Sequence, residues 1–195
     1  MYYYCDIMYI RLVKLMELLT TGITDEMLQE VYRIHQKKLG EGYLNYAYFK
    51  RLRDNDSGLL VAINEGKVAG YLVYEVTTDT EFFKSKHLDI ESKGVPALCL
   101  LTMAVDKERK GVGTFLTKSC IDMFKDKVDV LYSPVWKSVN GVNADRLLRK
   151  MGFIPSMEIE NYWYEESLGI DDYCPVCGSP CVCSLLIYQL LVKEK

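Results

Sequence analysis

The stretch that most constrains the fold is VPALCLLTMAV (Val95–Val105), an almost unbroken apolar run that leads through the charged turn DKERK into GVGTFLTKSCIDMFKDK. Such a run fits a strand covered on both faces rather than one that alternates toward solvent. After the turn, Val112, Leu116, Cys120 and Phe124 recur every four residues, with Phe115 and Met123 beside them. That spacing is the buried stripe of a helix beginning at or near Gly111. VDVLYSPVW supplies a second strand, and a second helix with Val142, Leu147 and Met151 on its core face is stopped by Gly152. Strand, glycine-bearing turn, helix and strand make a βαβ unit with parallel strands and a right-handed crossover.

The chain before this unit carries shorter signals. A first strand is expected around Ile7–Leu15. Thr24 has the chemistry of an N-cap, with Asp25 and Glu26 suited to the positive end of a helix dipole. Leu28, Val31, Tyr32, His35 and Leu39 follow at helical spacing, so this helix ends near Gly40. A second helix is expected over Leu44–Arg53, and LLVAI and VAGYLVYEV flank the turn sequence NEGK as a hairpin. The polar stretch Thr77–Gly94, which holds His87, Asp89 and Glu91, shows no readable structure. No repeat or linker divides the 195 residues, so one domain, 1–195, is expected, with a cysteine-rich hairpin at 172–183.

Composition excludes some function classes. With 24 Lys plus Arg against 27 Asp plus Glu, the net charge of -3 argues against a nucleic-acid or membrane-surface binder. The longest apolar runs, Val95–Val105 and Ser184–Val192, fall short of the roughly 20 residues that cross a bilayer. MYYYCDIMYIRL lacks the basic start and apolar stretch of a secretory signal, so a cytoplasmic, reducing setting is expected.

KGVG has a specific physical meaning. Free amides and the partial positive charge at a helix N-terminus form an anion site wherever the backbone can approach closely, which glycine permits. Arg109 and Lys110 stand beside it, so a phosphate or pyrophosphate is the natural ligand; packing alone is the other reading of two glycines. The dinucleotide fingerprint would need a third glycine where Leu116 stands, and no P-loop string is present.

Apolar strand, charged turn, RKGVG, helix, strand and then NGVNADRLLRKMGF resemble the GNAT superfamily of acyl-CoA-dependent N-acyltransferases, whose signature is (R or Q)xxGx(G or A) followed by a segment like NxxAxxLYxKxGF. The resemblance implies an α/β (α+β) fold: a mixed, mostly antiparallel, seven-stranded sheet with helices on both faces and a central, splayed parallel pair. EIENYWYEESL and CVCSLLIYQLLV would be its last two strands. It also implies that the amides of Arg109, Lys110, Gly111, Val112, Gly113 and Thr114 cradle the pyrophosphate of coenzyme A. The backbone of Met103, Ala104 and Val105 would pair with the pantetheine arm, and an amide near Met103 would stabilise the oxyanion. Asn140 or Asn143 would serve as the signature asparagine, although Gly141 holds its place. Leu148 stands where the family often has the tyrosine that protonates the departing thiolate, and Tyr132 on the neighbouring strand is the candidate donor, or else an amphipathic core residue.

The remaining candidates keep two readings each. His35 is a base, or a packed and hydrogen-bonded core histidine; His87, Asp89 and Glu91 are site groups, or solvated surface. Cys99 and Cys120 read as packing. In YCPVCGSPCVC, CPVC followed by glycine has the form of a zinc knuckle, and Cys181 and Cys183 could complete a tetrahedral site with Cys174 and Cys177. Reduced thiols and disulfides are the other fates. The leading functional reading is an acetyl-CoA-dependent N-acetyltransferase acting on a primary amine of a small molecule, peptide or protein, with a structural zinc and with a homodimer compatible with the family. The alternative is a catalytically inactive acyl-CoA binder or a zinc-hairpin interaction module.

Overall fold

The computed structural model describes residues 16–40, 44–78, 96–107, 110–142, 144–168, 174 and 176–192. The strand expected at Ile7–Leu15 and the segment holding His87, Asp89 and Glu91 lie outside them. The first described strand is β1 (Met16–Leu19). Helix α1 (Asp25–Leu39) starts as its sequence requires: the Thr24 hydroxyl accepts the Met27 N–H at 3.3 Å, and Gly40 closes the helix at φ 91°. Helix α2 (Tyr46–Asp54) is capped by Asn45, whose Oδ1 accepts the Tyr48 N–H at 2.9 Å.

Strands β2 (Leu59–Asn64) and β3 (Lys67–Thr77) form the expected hairpin. Glu65 and Gly66 both have positive φ, 52° and 72°, the two-residue turn whose twist suits a hairpin. The register steps between Ala62 and Ile63, which makes Ala69 an extra residue on β3. Next come β4 (Ala97–Val105), α3 (Val112–Phe124), β5 (Val130–Lys137), α4 (Asp145–Lys150), β6 (Ile154–Ile159) and β7 (Ser184–Leu191), with a 3-10 turn at Glu166–Leu168. The seven strands form one sheet in the order β1-β2-β3-β4-β5-β7-β6. β4 and β5 are parallel, with Ala97–Cys99 registered on Val130–Tyr132; the ladders β1/β2, β2/β3, β5/β7 and β6/β7 are antiparallel. This is the mixed, mostly antiparallel α/β sheet with a central parallel pair that the family resemblance implied.

Two sequence expectations are corrected. EIENYWYEESL is a strand only through Ile159; Asn161 then takes φ 52° and the chain turns. The consecutive residues Tyr162 and Trp163 both pack on the cluster of Ala97, Cys99, Tyr132, Leu185 and Ile187, which a strand, with neighbours on opposite faces, cannot do. On α4, Leu148 is the buried residue and Leu147 is half-buried, as are Val142 before the helix and Met151 at its C-cap. That helix spans six residues, too few turns for periodicity to fix a face.

The described residues divide into two compact units, one of those up to Val73 with Met103–Asp122, the other of those in Tyr74–Thr102 and from Met123 onward. Among the described residues no helix is long and apolar enough to cross a membrane.

Candidate functional site

In the first unit, the end of β4 and the start of α3 place the expected cofactor residues on one short piece of chain. Met103, Ala104 and Val105 close β4, and Gly111 precedes α3 with φ 80°, a left-handed conformation that glycine adopts without strain. Its carbonyl accepts the Phe115 N–H at 2.9 Å, which marks it as the residue that starts the helix. By helix geometry, the first N–H groups, those of Val112, Gly113 and Thr114, have no intrahelical acceptor and carry the positive end of the dipole. Lys110 beside them is exposed. Arg109 lies outside the described residues.

Two features that local sequence reading missed hold this turn in place. On β3, Gly70 lies so close to β4 that a Cβ there would sit 2.8 Å from the Ala104 carbonyl oxygen and 3.0 Å from Cγ1 of both Val105 and Val112. The bulged residue beside it, Ala69, offers its carbonyl to the Asp106 N–H at 2.9 Å. Helix α1 adds charge at the same point, since Arg33 Nη2 and Lys37 Nζ lie 3.6 and 3.8 Å from Asp106 Oδ1. Beneath the strand, the buried Thr117 hydroxyl donates to Met103 Sδ at 3.7 Å.

His35 takes the packed alternative. It is fully buried, its Nδ1 stands 2.6 Å from the Tyr71 hydroxyl, and its ring packs edge-on to Phe49 at 5.2 Å. Burial pushes its pKa down to about 4, so the imidazole is neutral at pH 7. Cys120 is likewise fully buried, and burial raises its thiol to about 12, which leaves it an inert packing group.

In the second unit, Tyr132 is 7% exposed within the cluster of Ala97, Cys99, Leu185 and Ile187. Asn140 is exposed in a turn closed by reciprocal bonds between Ser138 and Gly141, and its N–H donates to the Ser138 hydroxyl at 3.2 Å. Asn143 lies outside the described residues. A further network escaped the sequence: the fully buried Tyr188 on β7 donates its hydroxyl to Asp145, which also accepts from Arg149 Nε at 2.7 Å. Burial and the Asp145 carboxylate raise the Tyr188 phenol to about 12.

The same unit gathers four cysteines. Cys177 Sγ lies 3.4 Å from Cys174, 3.6 Å from Cys181 and 3.6 Å from Cys183, and Cys174 and Cys183 are 4.0 Å apart. Cys181 and Cys183 are buried, Cys174 and Cys177 half-buried. Burial raises the thiols of Cys181 and Cys183. For Cys174 burial also acts upward, but the Cys177 and Val176 N–H groups outweigh it and bring the thiol to about 7. All four ligand atoms fall within 4.8 Å of one another, a group that could hold a metal ion.

Comparison with known proteins gives a consistent result. The family model described as the acetyltransferase (GNAT) family matches residues 25–153. No curated protein matches in sequence. Among solved structures, the chain is similar to Arabidopsis thaliana NAA60 in complex with acetyl-CoA, at 13% identity and TM-score 0.67, covering 92% of this chain and 99% of that one. It is also similar to the ribosomal-protein-S18-alanine N-acetyltransferase of Escherichia coli, at 18% identity and TM-score 0.63, covering 92% and 96%. A third, yncA, a putative acetyltransferase from Salmonella typhimurium with its cofactor acetyl-CoA, is 15% identical with TM-score 0.61, covering 93% and 96%.

Proposed function

Because the chain belongs to the acetyltransferase (GNAT) family, we propose that it moves the acetyl group of acetyl-CoA onto a primary amine of a small molecule, peptide or protein by direct attack. The observation that carries this reading is the passage from β4 through the left-handed Gly111 into α3, which offers strand-end backbone and helix-start amides side by side. The amides of Gly111, Val112, Gly113 and Thr114, with Arg109 and Lys110, would hold the pyrophosphate, and the backbone of Met103–Val105 the pantetheine arm. Asn140 and Asn143 complete the proposed cofactor set.

In the reaction, the neutral amine nitrogen attacks the thioester carbonyl carbon. A C–N bond forms, the amide N–H of Met103 steadies the oxyanion, and the C–S bond breaks. The amine's proton leaves to solvent, the departing thiolate takes one from Tyr132, and solvent returns a proton to the Tyr132 phenolate. The products are an N-acetylated amine and the free thiol of coenzyme A.

The test is a calorimetric titration with acetyl-CoA, followed by an amine-library screen for thiol release. Saturable binding that Gly113→Glu abolishes is expected, because a carboxylate would occupy the anion cradle. Binding that survives this substitution removes the pyrophosphate placement.

A second reading, an acyl-CoA binder without catalysis, is favoured by one observation. Leu148, where the resemblance would place a protonating tyrosine, is 3% exposed and apolar. Binding of acetyl-CoA with no thiol release for any amine would select it.

A further inference from the structure

Among the described residues, the cysteine cluster is a group of reactive side chains that acyl transfer leaves unused. We propose that Cys174, Cys177, Cys181 and Cys183 bind one zinc ion as a closed, structural tetrathiolate, and that the ion fastens the segment 161–168 to the start of β7.

The spacing of the four sulfurs suits one tetrahedral metal and not a pair of disulfides. A tetrahedral zinc with Zn–S bonds of about 2.3 Å has S···S edges of about 3.8 Å. The observed separations of 3.4, 3.6, 3.6 and 4.0 Å bracket that value. A disulfide would need about 2.05 Å between one pair and would leave the other two sulfurs without a common centre.

Local structure explains why this sequence builds the site. Gly178 takes φ 77° and its N–H returns to the Cys174 carbonyl at 3.0 Å, folding CPVCG into a tight turn that presents two sulfurs together. Cys181 and Cys183 come from the residues just before β7. With four protein sulfurs filling a tetrahedron, no position is left for water or substrate, which is the mark of a structural rather than a catalytic zinc.

What the ion fastens is also visible. The Cys183 carbonyl accepts the Tyr162 N–H at 3.1 Å, and the Ser167 hydroxyl accepts the Cys181 N–H at 2.6 Å. Ser179 in turn donates its hydroxyl to the Ser167 carbonyl. Tyr162 and Trp163 rest on the cluster that includes Leu185 and Ile187. Hydrogen bonds from the cysteine loop therefore reach both ends of 161–168, and fixing the loop fixes that segment.

The test uses the whole chain, expressed without a metal-binding tag and kept reduced. Elemental analysis is expected to give one zinc per chain, and cobalt(II) exchange to give the intense bands of a tetrahedral four-sulfur centre. Chelation is expected to open those four cysteines to alkylation as mapped by mass spectrometry, while the buried Cys99 and Cys120 stay protected. It is also expected to speed amide exchange in 161–168 while leaving α1 unchanged. Cys177→Ser should shift the cobalt bands to those of a three-sulfur site. Should that variant not fold, the cobalt spectrum of the unaltered chain decides alone. A reduced, folded chain that binds no zinc, carries iron instead, or gives the weak spectrum of octahedral cobalt overturns the site. Unchanged exchange in 161–168 after metal removal overturns the fastening.

Discussion

Gly70→Ala is the most direct probe of how β3 supports the candidate acyl-CoA site. The added methyl would lie 2.8 Å from the Ala104 carbonyl oxygen and 3.0 Å from two valine methyls. Comfortable carbon contacts begin near 3.5 Å, so relief requires about half an ångström of movement. The nearest obstacle is a backbone oxygen, which cannot swing aside as a side chain would; either β3 or the end of β4 must shift. Overpacking of this kind costs about 1–3 kcal/mol, which for a chain of this size lowers the melting midpoint by roughly 3–10 °C. If the end of β4 moves, one well-aligned backbone hydrogen bond to the pantetheine arm is lost, about 1 kcal/mol or more, so acetyl-CoA should bind about tenfold more weakly. Gly66→Ala is the control. Gly66 has φ +72° and nothing within 4 Å of a Cβ, so alanine there costs about 1–2 kcal/mol of backbone strain without pressing on β4. Differential scanning calorimetry and acetyl-CoA titration of both variants check this. Unchanged binding by Gly70→Ala, or equal weakening by Gly66→Ala, would refute the reasoning.

Two further predictions concern single side chains. His35 has a folded pKa of about 4 against an ordinary 6.5, lowered by burial. The unfolded chain therefore binds the extra proton first, and stability present above pH 6.5 is lost as pH falls toward 4, by up to about 3 kcal/mol. Urea unfolding across that window should show the loss, and His35→Gln should flatten it; an equal slope in the variant would mean other groups carry it. Tyr132→Phe keeps the ring and deletes the proposed proton donor, so kcat should fall about 100-fold with the acetyl-CoA KM unchanged. A kcat within about threefold of the parent would leave Tyr132 a packing residue.

What could be read from sequence was what depends on near neighbours along the chain. Thr24, the Glu65–Gly66 turn and Gly111 each act within four residues of themselves, and each is where its chemistry puts it. Gly70 was illegible because its constraint comes from Ala104 and Val112, residues brought close only by folding. The bond from Tyr188 to Asp145 spans 43 positions and has the same cause. Tyr162 and Trp163 misled for a different reason: aromatic residues favour strands, but both rings belong to one core cluster, and burial of both overrode the propensity.

The two candidate sites also differ in what they demand of a sequence. The acyl-CoA site proposed above would be built mostly from backbone atoms of Met103–Val105 and Gly111–Thr114, which almost any side chains can accompany. Only its glycines leave a trace, and those mark where a phosphate can approach, not which amine will be acetylated. The cysteine site is built from side chains, four sulfurs spaced within ten residues, so its chemistry is written out directly. The acceptor is the extreme of the first kind. Recognition of an amine depends on surfaces assembled from distant segments, and the candidate carboxylates and His87 lie outside the described residues. If zinc holds Cys174–Cys183, the segment 161–168 fastened by Ser167 and Tyr162 gains a fixed shape without a large core of its own. A rigid, exposed loop with Tyr164 and Leu168 on its surface is then part of the protein that substitutions can alter freely, because neither residue belongs to the metal cluster or to the cofactor backbone.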